Sequence, residues 1–231
     1  MSPFDLLDEI CDATPSGSWM LVGGLMVHAH AWLADITSPR PTLDADLVVE
    51  LSVISYPEMA THLHQLGFSP HDPIDPGSPF HRFRRATHHI DLMAPEGRMV
   101  SFLGRTVVEV PGAISALKRT IPFTTPGGRT IRVPDLESAL SLKGAAWEMP
   151  SPNPGRHLQD GVLLFACAGR RELNLSKSMR TNINKLLRGL EKADAWRAAD
   201  PLTTLRAVRA IQGIRSDWTP PPSVANHVIS P

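Results

Sequence analysis

Two carboxylates one residue apart, Asp44 and Asp46, lie in an apolar and β-prone stretch of the sequence. In a strand, residues i and i+2 project from the same face, so both side chains would point the same way. Adjacent carboxylates in a mostly buried strand repel each other unless a cation or protons compensate. Hard oxygen ligands at this spacing suit Mg²⁺, which proteins hold with one or two carboxylates and substrate phosphates. Turn residues or a solvated edge are the common alternatives, but no Gly or Pro interrupts residues 43–49, which disfavours a turn.

Two further features of the sequence could converge on this pair. Gly23 and Gly24 close a short apolar strand and precede a helix, so the backbone there could approach a phosphate closely. A tight strand-to-helix turn without a ligand is the alternative. Asp91 lies in a second β-like segment, on the face opposite Ile90 and Leu92. Because a buried Asp is rare unless it is paired or metal-bound, Asp91 could complete a three-carboxylate site.

A lysine and another aspartate lie in the helical part of the sequence. Pro134 and Asp135 begin a predicted helix, with Asp135 as its N-cap. Lys143 lies on the apolar stripe of that helix, where a lysine either snorkels to the surface or points at an anion. Asp160 lies on the next predicted helix. The residues alone leave both interpretations of Lys143 open.

The composition predicts a globular protein. Of the 231 residues, 42% are hydrophobic and 20% are charged, which is typical of a chain with a real core. The N-terminus is acidic and does not resemble a signal peptide. The longest apolar run, residues 19–34, is too short to span a bilayer. We therefore expect a cytoplasmic protein that does not engage a membrane. Cys11 and Cys167 lack a CxxC partner and are predicted to be reduced thiols.

The charges balance overall but are unevenly distributed. Residues 1–60 hold nine acidic residues and one basic residue, whereas residues 61–231 hold 14 acidic and 22 basic residues. This asymmetry is compatible with a nucleic-acid or polyphosphate partner without demonstrating one. A solvated helix face is the usual meaning of a basic stripe such as the one within residues 172–197. Its members are Lys177, Arg180, Lys185, Arg188 and Lys192.

The order of the apolar segments predicts an α+β fold. Short strands and helices, separated by Gly- and Pro-containing turns, occur through residue 133, and helical periodicity dominates afterwards. We expect a first domain over residues 1–133, a helical domain over residues 134–218 and a Pro-rich tail over residues 219–231.

The ordered set of motifs resembles the DNA polymerase β-like nucleotidyltransferase superfamily. The pattern of that superfamily is hG[G/S], then DhDh, then hDh, where h is a hydrophobic residue. The matching residues here are 22–24, 40–47 and 89–93, with residues 133–145 and Asp160 extending the likeness. Within the superfamily the sequence is most similar to the AbiEii/MenT group, the nucleotidyltransferase toxins of bacterial toxin–antitoxin and abortive-infection systems. The resemblance implies a nucleotidyltransferase-fold mixed sheet flanked by helices, followed by a helical part.

The resemblance also implies a metal-dependent reaction. Asp44 and Asp46 would hold Mg²⁺ or Mn²⁺. Asp91 would share one metal ion and could accept the proton of the attacking hydroxyl. The substrate would be a nucleoside triphosphate (NTP), whose α-phosphorus is attacked in line while pyrophosphate leaves.

The same resemblance implies a second set of residues, which would contact the nucleotide. Gly23 and Gly24 would present backbone N–H groups to the triphosphate. Lys143 would neutralise phosphate charge, with Asp160 as its polar support. Arg40 would be a further phosphate contact.

Three functions compete at this point. The first is transfer of a nucleoside monophosphate to the 3′ end of tRNA, by a toxin that a cognate antitoxin could restrain. The second is transfer to a small molecule such as an aminoglycoside, but the C-terminal half lacks the acidic cluster that such acceptors generally need. The third is binding of a nucleotide or a partner without catalysis, which the three carboxylates and Lys143 argue against. Zinc is disfavoured because the His-x-His pairs lie on predicted helices, where residues i and i+2 cannot share a metal.

Overall fold

A computed structural model describes residues 3–37, 42, 44–73, 75, 77–149 and 153–228. Within these residues the protein has nine α-helices and ten short strands. The largest sheet contains both parallel and antiparallel strand pairs. The predicted α+β class is therefore confirmed. The chain forms two compact units, a first unit from the described parts of Met1–Met26 and Thr42–Asp135, and a second from those of Val27–Pro41 and Leu136–Pro231.

The first unit contains all the described strands and three complete helices. Helix α2 (Gly23–Leu33) begins in this unit and continues into the second. The other elements are α1 (Pro3–Ala13), β1 (Trp19–Val22), β2 (Ala45–Val49), α3 (Tyr56–Gln65), β3 (Ser69–Pro70), β4 (Arg82–Arg85), β5 (His88–Pro95), β6 (Ser101–Phe102), β7 (Arg105–Thr106), β8 (Glu109–Val110), α4 (Ala113–Leu117), β9 (Thr120–Thr124) and β10 (Thr130–Pro134).

The main sheet has the strand order β1-β2-β5-β4-β3, and β8 pairs with β5. Strands β2 and β5 run parallel, whereas β1 and β4 pair with them in the antiparallel sense. Alternate residues of β5, namely Ile90, Leu92 and Ala94, are fully buried on one face of the strand. This alternation leaves the intervening residues, including Asp91, on the other face.

Helix α3 is tied to the sheet at its beginning. Ser55 and Glu58 form a reciprocal capping box, in which each side chain accepts a hydrogen bond from the backbone N–H of the other residue. The next residue, Tyr56, is fully buried, and its hydroxyl donates to the carbonyl of Leu92 at 2.9 Å. This bond holds β5 in a fixed position beside α3.

The second unit is helical apart from its connections. Its elements are α5 (Leu136–Trp147), α6 (Gly155–Ala168), α7 (Lys177–Leu190), a 3₁₀ turn (Ala193–Trp196), α8 (Pro201–Ile214) and α9 (Pro222–Val228). Helix α5 packs on α6 and α7, and α6 packs on α8. Gly144 permits the close crossing of α5 and α7, because an added Cβ would lie 2.1 Å from the carbonyl oxygen of Asn182.

The two units divide the chain differently from the predicted domains. The prediction assigns residues 1–133 to one domain, whereas the described residues of Val27–Pro41 group with the helical unit. Within the segment predicted as a Pro-rich tail, α9 forms and packs on α8, and Val224 is buried. In the part of the chain that the structure describes, no helix has both the length and the apolar character needed to cross a bilayer.

Candidate functional site

Strand register places two of the predicted carboxylates side by side. Asp46 on β2 is the direct neighbour of Asp91 on the parallel strand β5. Residues in register on adjacent strands project from the same face, so both side chains lie on the face opposite Ile90 and Leu92. Asp44 precedes β2 by one residue and lies two residues before Asp46, which gives it the same direction. The first unit thus brings Asp44, Asp46 and Asp91 together on one sheet face.

Gly23 and Gly24 lie directly against Asp46. Val22, the last residue of β1, is the antiparallel partner of Asp46, and Gly23 then turns the chain into α2 with a φ of 67°. A Cβ at Gly23 would lie 1.7 Å from Oδ2 of Asp46. The N–H of Gly24 points to the same oxygen at 3.4 Å. The N-terminus of α2 therefore faces a carboxylate, and the positive end of the helix dipole stabilises that negative charge.

Arg82 binds the third carboxylate. It lies on β4 opposite Asp91, and its Nε and Nη2 donate to Oδ1 and Oδ2 of Asp91 at 2.7 and 2.8 Å. The Asp91 side chain is only 12% exposed, and the Arg82 side chain is 35% exposed. The pKa of Arg82 is raised, first by this hydrogen bonding and further by the charges of Asp44 and Asp46, while burial opposes the shift. Arg82 therefore interacts electrostatically with all three carboxylates.

Two other side chains complete the surroundings of the cluster. Nδ1 of His89 lies 3.3 Å from Oδ1 of Asp44. The imidazole of His81 is more distant, with its Nε2 at 3.9 Å from Oδ2 of Asp91. Burial and the charge of Asp91 raise the pKa of Tyr56, which keeps its hydroxyl protonated as a donor.

The donor set has the chemistry that a hard divalent cation requires. Asp44, Asp46 and Asp91 carry carboxylate oxygens, the type of ligand that Mg²⁺ and Mn²⁺ prefer. In the arrangement described, both oxygens of Asp91 accept from Arg82. No group of three or more His, Cys, Asp or Glu side chains among the described residues has the arrangement of a metal site. A cation that binds Asp91 would therefore compete with the guanidinium of Arg82 for these oxygens.

Lys143 and Asp160 form a buried ion pair within the second unit. Nζ of Lys143 lies 2.7 Å from Oδ2 of Asp160, and their side chains are 6% and 7% exposed. Helices α5 and α6 carry the two residues, so the pair joins two neighbouring helices of that unit. Lys143 does not snorkel to the surface. The remaining predicted contact, Arg40, lies outside the described residues.

Two arginines of the basic stripe, Arg180 and Arg188, line a cleft of the second unit. The cleft has a volume of about 630 Å³, and its lining includes Arg180, Arg188 and Arg215 as well as Glu191. Arg188 is partly neutralised, because its Nη2 lies 3.5 Å from Oε1 of Glu148. The lining thus holds three arginines and one glutamate, and Arg215 is also paired, since its Nε lies 3.2 Å from Oδ1 of Asp217.

Arg82 and His89 are the site residues that the sequence analysis did not identify. Strand register places Arg82 opposite Asp91, because β4 and β5 are joined by a two-residue connection that fixes the register of the hairpin. Ala86 and Thr87 form that connection, and Arg85 pairs with His88. Their residue types do not indicate a hairpin turn, although Ala86 has a φ of 51°.

We expect Gly23→Ala to destabilise the protein and to displace Asp46. An alanine at positive φ costs about 1–2 kcal/mol by itself. The methyl group would also occupy the position of the Asp46 carboxylate, since its Cβ would lie 1.7 Å from Oδ2. We therefore expect a larger loss in the free energy of unfolding, measured by urea denaturation.

Gly97→Ala is the matched control for this change. Gly97 has a φ of 71°, and no atom lies within 4 Å of an added Cβ. This variant carries the conformational cost without the contact, so the difference between the two variants measures the clash with Asp46. Equal losses of stability in Gly23→Ala and Gly97→Ala would show that a side chain at position 23 does not clash with Asp46.

Comparison with known proteins adds no family to this site. No family model matches the chain, and no curated protein matches it. The function of the site is therefore inferred from its residues and their geometry.

Proposed function

We propose that this chain is a divalent-cation-dependent nucleotidyltransferase of the AbiEii/MenT type. It would move a nucleoside monophosphate from an NTP to an acceptor. The observation that carries the proposal is the alignment of Asp44, Asp46 and Asp91 on one sheet face. Gly23, held at positive φ against Asp46, supports it because a side chain there would obstruct the carboxylate.

The proposed reaction is an in-line displacement at the α-phosphorus. A bond forms from the acceptor oxygen to phosphorus, the bond to the bridging oxygen breaks, and pyrophosphate leaves. Bound Mg²⁺ or Mn²⁺ would activate the attacking oxygen and neutralise the leaving group. Asp44 and Asp46 would hold the cation, and Asp91 would share it or accept the proton of the attacking hydroxyl. The beginning of α2 at Gly23 and Gly24 would lie beside the triphosphate.

An RNA acceptor, most specifically the 3′ end of tRNA, is the acceptor we propose. The arginines that line the cleft beside α7 favour an acceptor that is an anionic macromolecule, because arginine side chains bind phosphates bidentately. Modification of tRNA 3′ ends would block aminoacylation and arrest growth. As in the AbiEii/MenT group that the sequence resembles, the protein would then act as a toxin in the cytoplasm, with a cognate antitoxin. The small-molecule acceptor has no comparable support among the described residues.

Transfer of label from an NTP tests the proposal directly. The purified protein would be incubated with each α-³²P-NTP, Mg²⁺ and total tRNA, beside Asp46→Asn. We expect one NTP to label tRNA with the native protein only. Label on a small-molecule acceptor instead would change the acceptor and keep the reaction. Absence of transfer to every acceptor, together with absence of NTP binding, would overturn the nucleotidyltransferase assignment.

A further inference from the structure

Arg82 binds Asp91 through the same carboxylate oxygens that would ligate a cation. Its guanidinium contacts both carboxylate oxygens, at 2.7 and 2.8 Å. Bidentate pairs of this kind are among the strongest hydrogen-bonded ion pairs because two parallel bonds form with a planar partner. A cation and a guanidinium cannot use the same oxygen lone pairs fully at the same time. Arg82 therefore competes with any cation for Asp91.

The position of Arg82 allows it to exchange partners. Its side chain is 35% exposed, whereas that of Asp91 is 12% exposed, so the guanidinium is the more accessible member of the pair. A neighbouring arginine on the same strand face, Arg84, donates instead to the carbonyl of Ala86 at 3.0 Å. Within β4, Arg82 makes the guanidinium contact with Asp91, a member of the carboxylate cluster.

We propose that Arg82 is an internal counter-ion that keeps Asp91 out of the cation site until a bound triphosphate offers the guanidinium another anionic partner. This inference rests on the proposed function, since the triphosphate belongs to the NTP substrate. It makes Arg82 a positioning residue that couples two binding events. By thermodynamic linkage the coupling is reciprocal, so triphosphate binding strengthens cation binding and cation binding strengthens triphosphate binding.

The first test measures Mn²⁺ binding without nucleotide, by isothermal titration calorimetry of the native protein and of Arg82→Gln. We expect Arg82→Gln to bind Mn²⁺ at least about tenfold more tightly, a size usual for coupled sites. Arg84→Gln is the matched control, because it removes the same charge from the same strand face and leaves the Asp91 contact intact. It should bind Mn²⁺ like the native protein. Equal Mn²⁺ affinities of the native protein and Arg82→Gln would overturn the inference.

The second test follows the arginine itself by NMR of ¹⁵N-arginine-labelled protein. The Nε–H signal of Arg82 is identified by its loss in Arg82→Gln. We expect this signal to stay in place with Mg²⁺ alone and to move when an α,β-methylene analogue of the transferred NTP is added with Mg²⁺. A full shift with Mg²⁺ alone would contradict the role of the triphosphate.

Loss of folding in Arg82→Gln would still give a result. Removing the guanidinium leaves a nearly buried carboxylate without its cation. If the variant is unfolded without metal, Mn²⁺ should restore it and raise its melting temperature more than that of the native protein. Arg82→Lys keeps the charge with a looser contact, and we expect it to have an intermediate Mn²⁺ affinity. Failure of Mn²⁺ to restore the first variant, with native affinity in the second, would contradict the inference.

The two proposals can fail separately. Asp46-dependent transfer of label, together with native Mn²⁺ affinity in Arg82→Gln, would keep the nucleotidyltransferase and remove the counter-ion role. Tighter Mn²⁺ binding in Arg82→Gln, without transfer of label by the native protein, would keep the competition for Asp91 and remove the reaction.

Discussion

Replacement of Asp46 by asparagine is expected to reduce nucleotidyl transfer by at least about 10³-fold while the protein remains folded. Asp46 is the central carboxylate, because it is in register with Asp91 and lies against Gly23. Asparagine has the same shape but supplies one neutral oxygen and an amide that cannot ligate a cation. The oxygen of asparagine can still accept from Gly24. The rate of label transfer and the thermal unfolding midpoint would be measured on the same preparation.

Asp72→Asn is the control for this prediction. The Asp72 side chain is 73% exposed, and its carboxylate is 3.8 Å from Nε of Arg105. This substitution removes one negative charge from the first unit without changing the carboxylate cluster, so transfer should stay within about twofold of the native rate. Native transfer by Asp46→Asn would remove the cluster from the mechanism. Unfolding of that variant would leave Asp44→Asn and Asp91→Asn as the variants to measure.

Lys143→Met is expected to lower the free energy of unfolding by about 3–5 kcal/mol, the cost usual for removing one partner of a buried pair. The change leaves the carboxylate of Asp160 in a position where its side chain is 7% exposed. Burial without a cation is costly for a carboxylate, and its protonation recovers only part of that cost. Urea denaturation of the native protein and the variant gives the difference directly.

Two further variants separate the contributions to this effect. Lys143→Met with Asp160→Asn removes both charges, and we expect it to regain a large part of the lost stability. Lys185→Met breaks the more exposed pair with Glu148, which has a 2.9 Å Nζ–Oε2 distance, and should cost no more than about 1 kcal/mol. Equal losses in the free energy of unfolding for Lys143→Met and Lys185→Met would show that burial does not make the Lys143–Asp160 pair more important for stability.

The same neutral double variant addresses the role of Lys143 in the reaction. If the lysine only stabilises the helical unit, the double variant should recover transfer together with stability. If the lysine neutralises phosphate charge, as the resemblance to the AbiEii/MenT group implies, stability should return while transfer stays low. The comparison of urea denaturation with the rate of label transfer therefore distinguishes the two roles.

The proposed counter-ion role of Arg82 changes how the carboxylate cluster is understood. Three adjacent carboxylates would repel one another in a protein without a bound cation. Arg82 relieves part of that repulsion, since it pairs with Asp91 and its pKa also responds to Asp44 and Asp46. If the cluster binds a metal ion as proposed, it can be stable before that ion arrives, because the guanidinium of Arg82 takes its place as the positive charge.

The sequence by itself determined the local parts of this protein. Apolar alternation and turn residues predicted the α+β class, which the structure confirms. Period-two alternation also placed Asp44 and Asp46 on one face, because strand geometry fixes that relation over two residues. The roles of these residues in metal and nucleotide binding stay predictions that the experiments above address.

The tertiary structure decided which residues from distant parts of the chain meet. Parallel pairing of β2 with β5 aligned Asp46 with Asp91, and the antiparallel return of β4 placed Arg82 on Asp91. Packing of α6 on α5 gave Lys143 its partner Asp160. Periodicity reports only the face on which a side chain lies. Its partner depends on strand register and helix packing, which are set by the burial of the whole core.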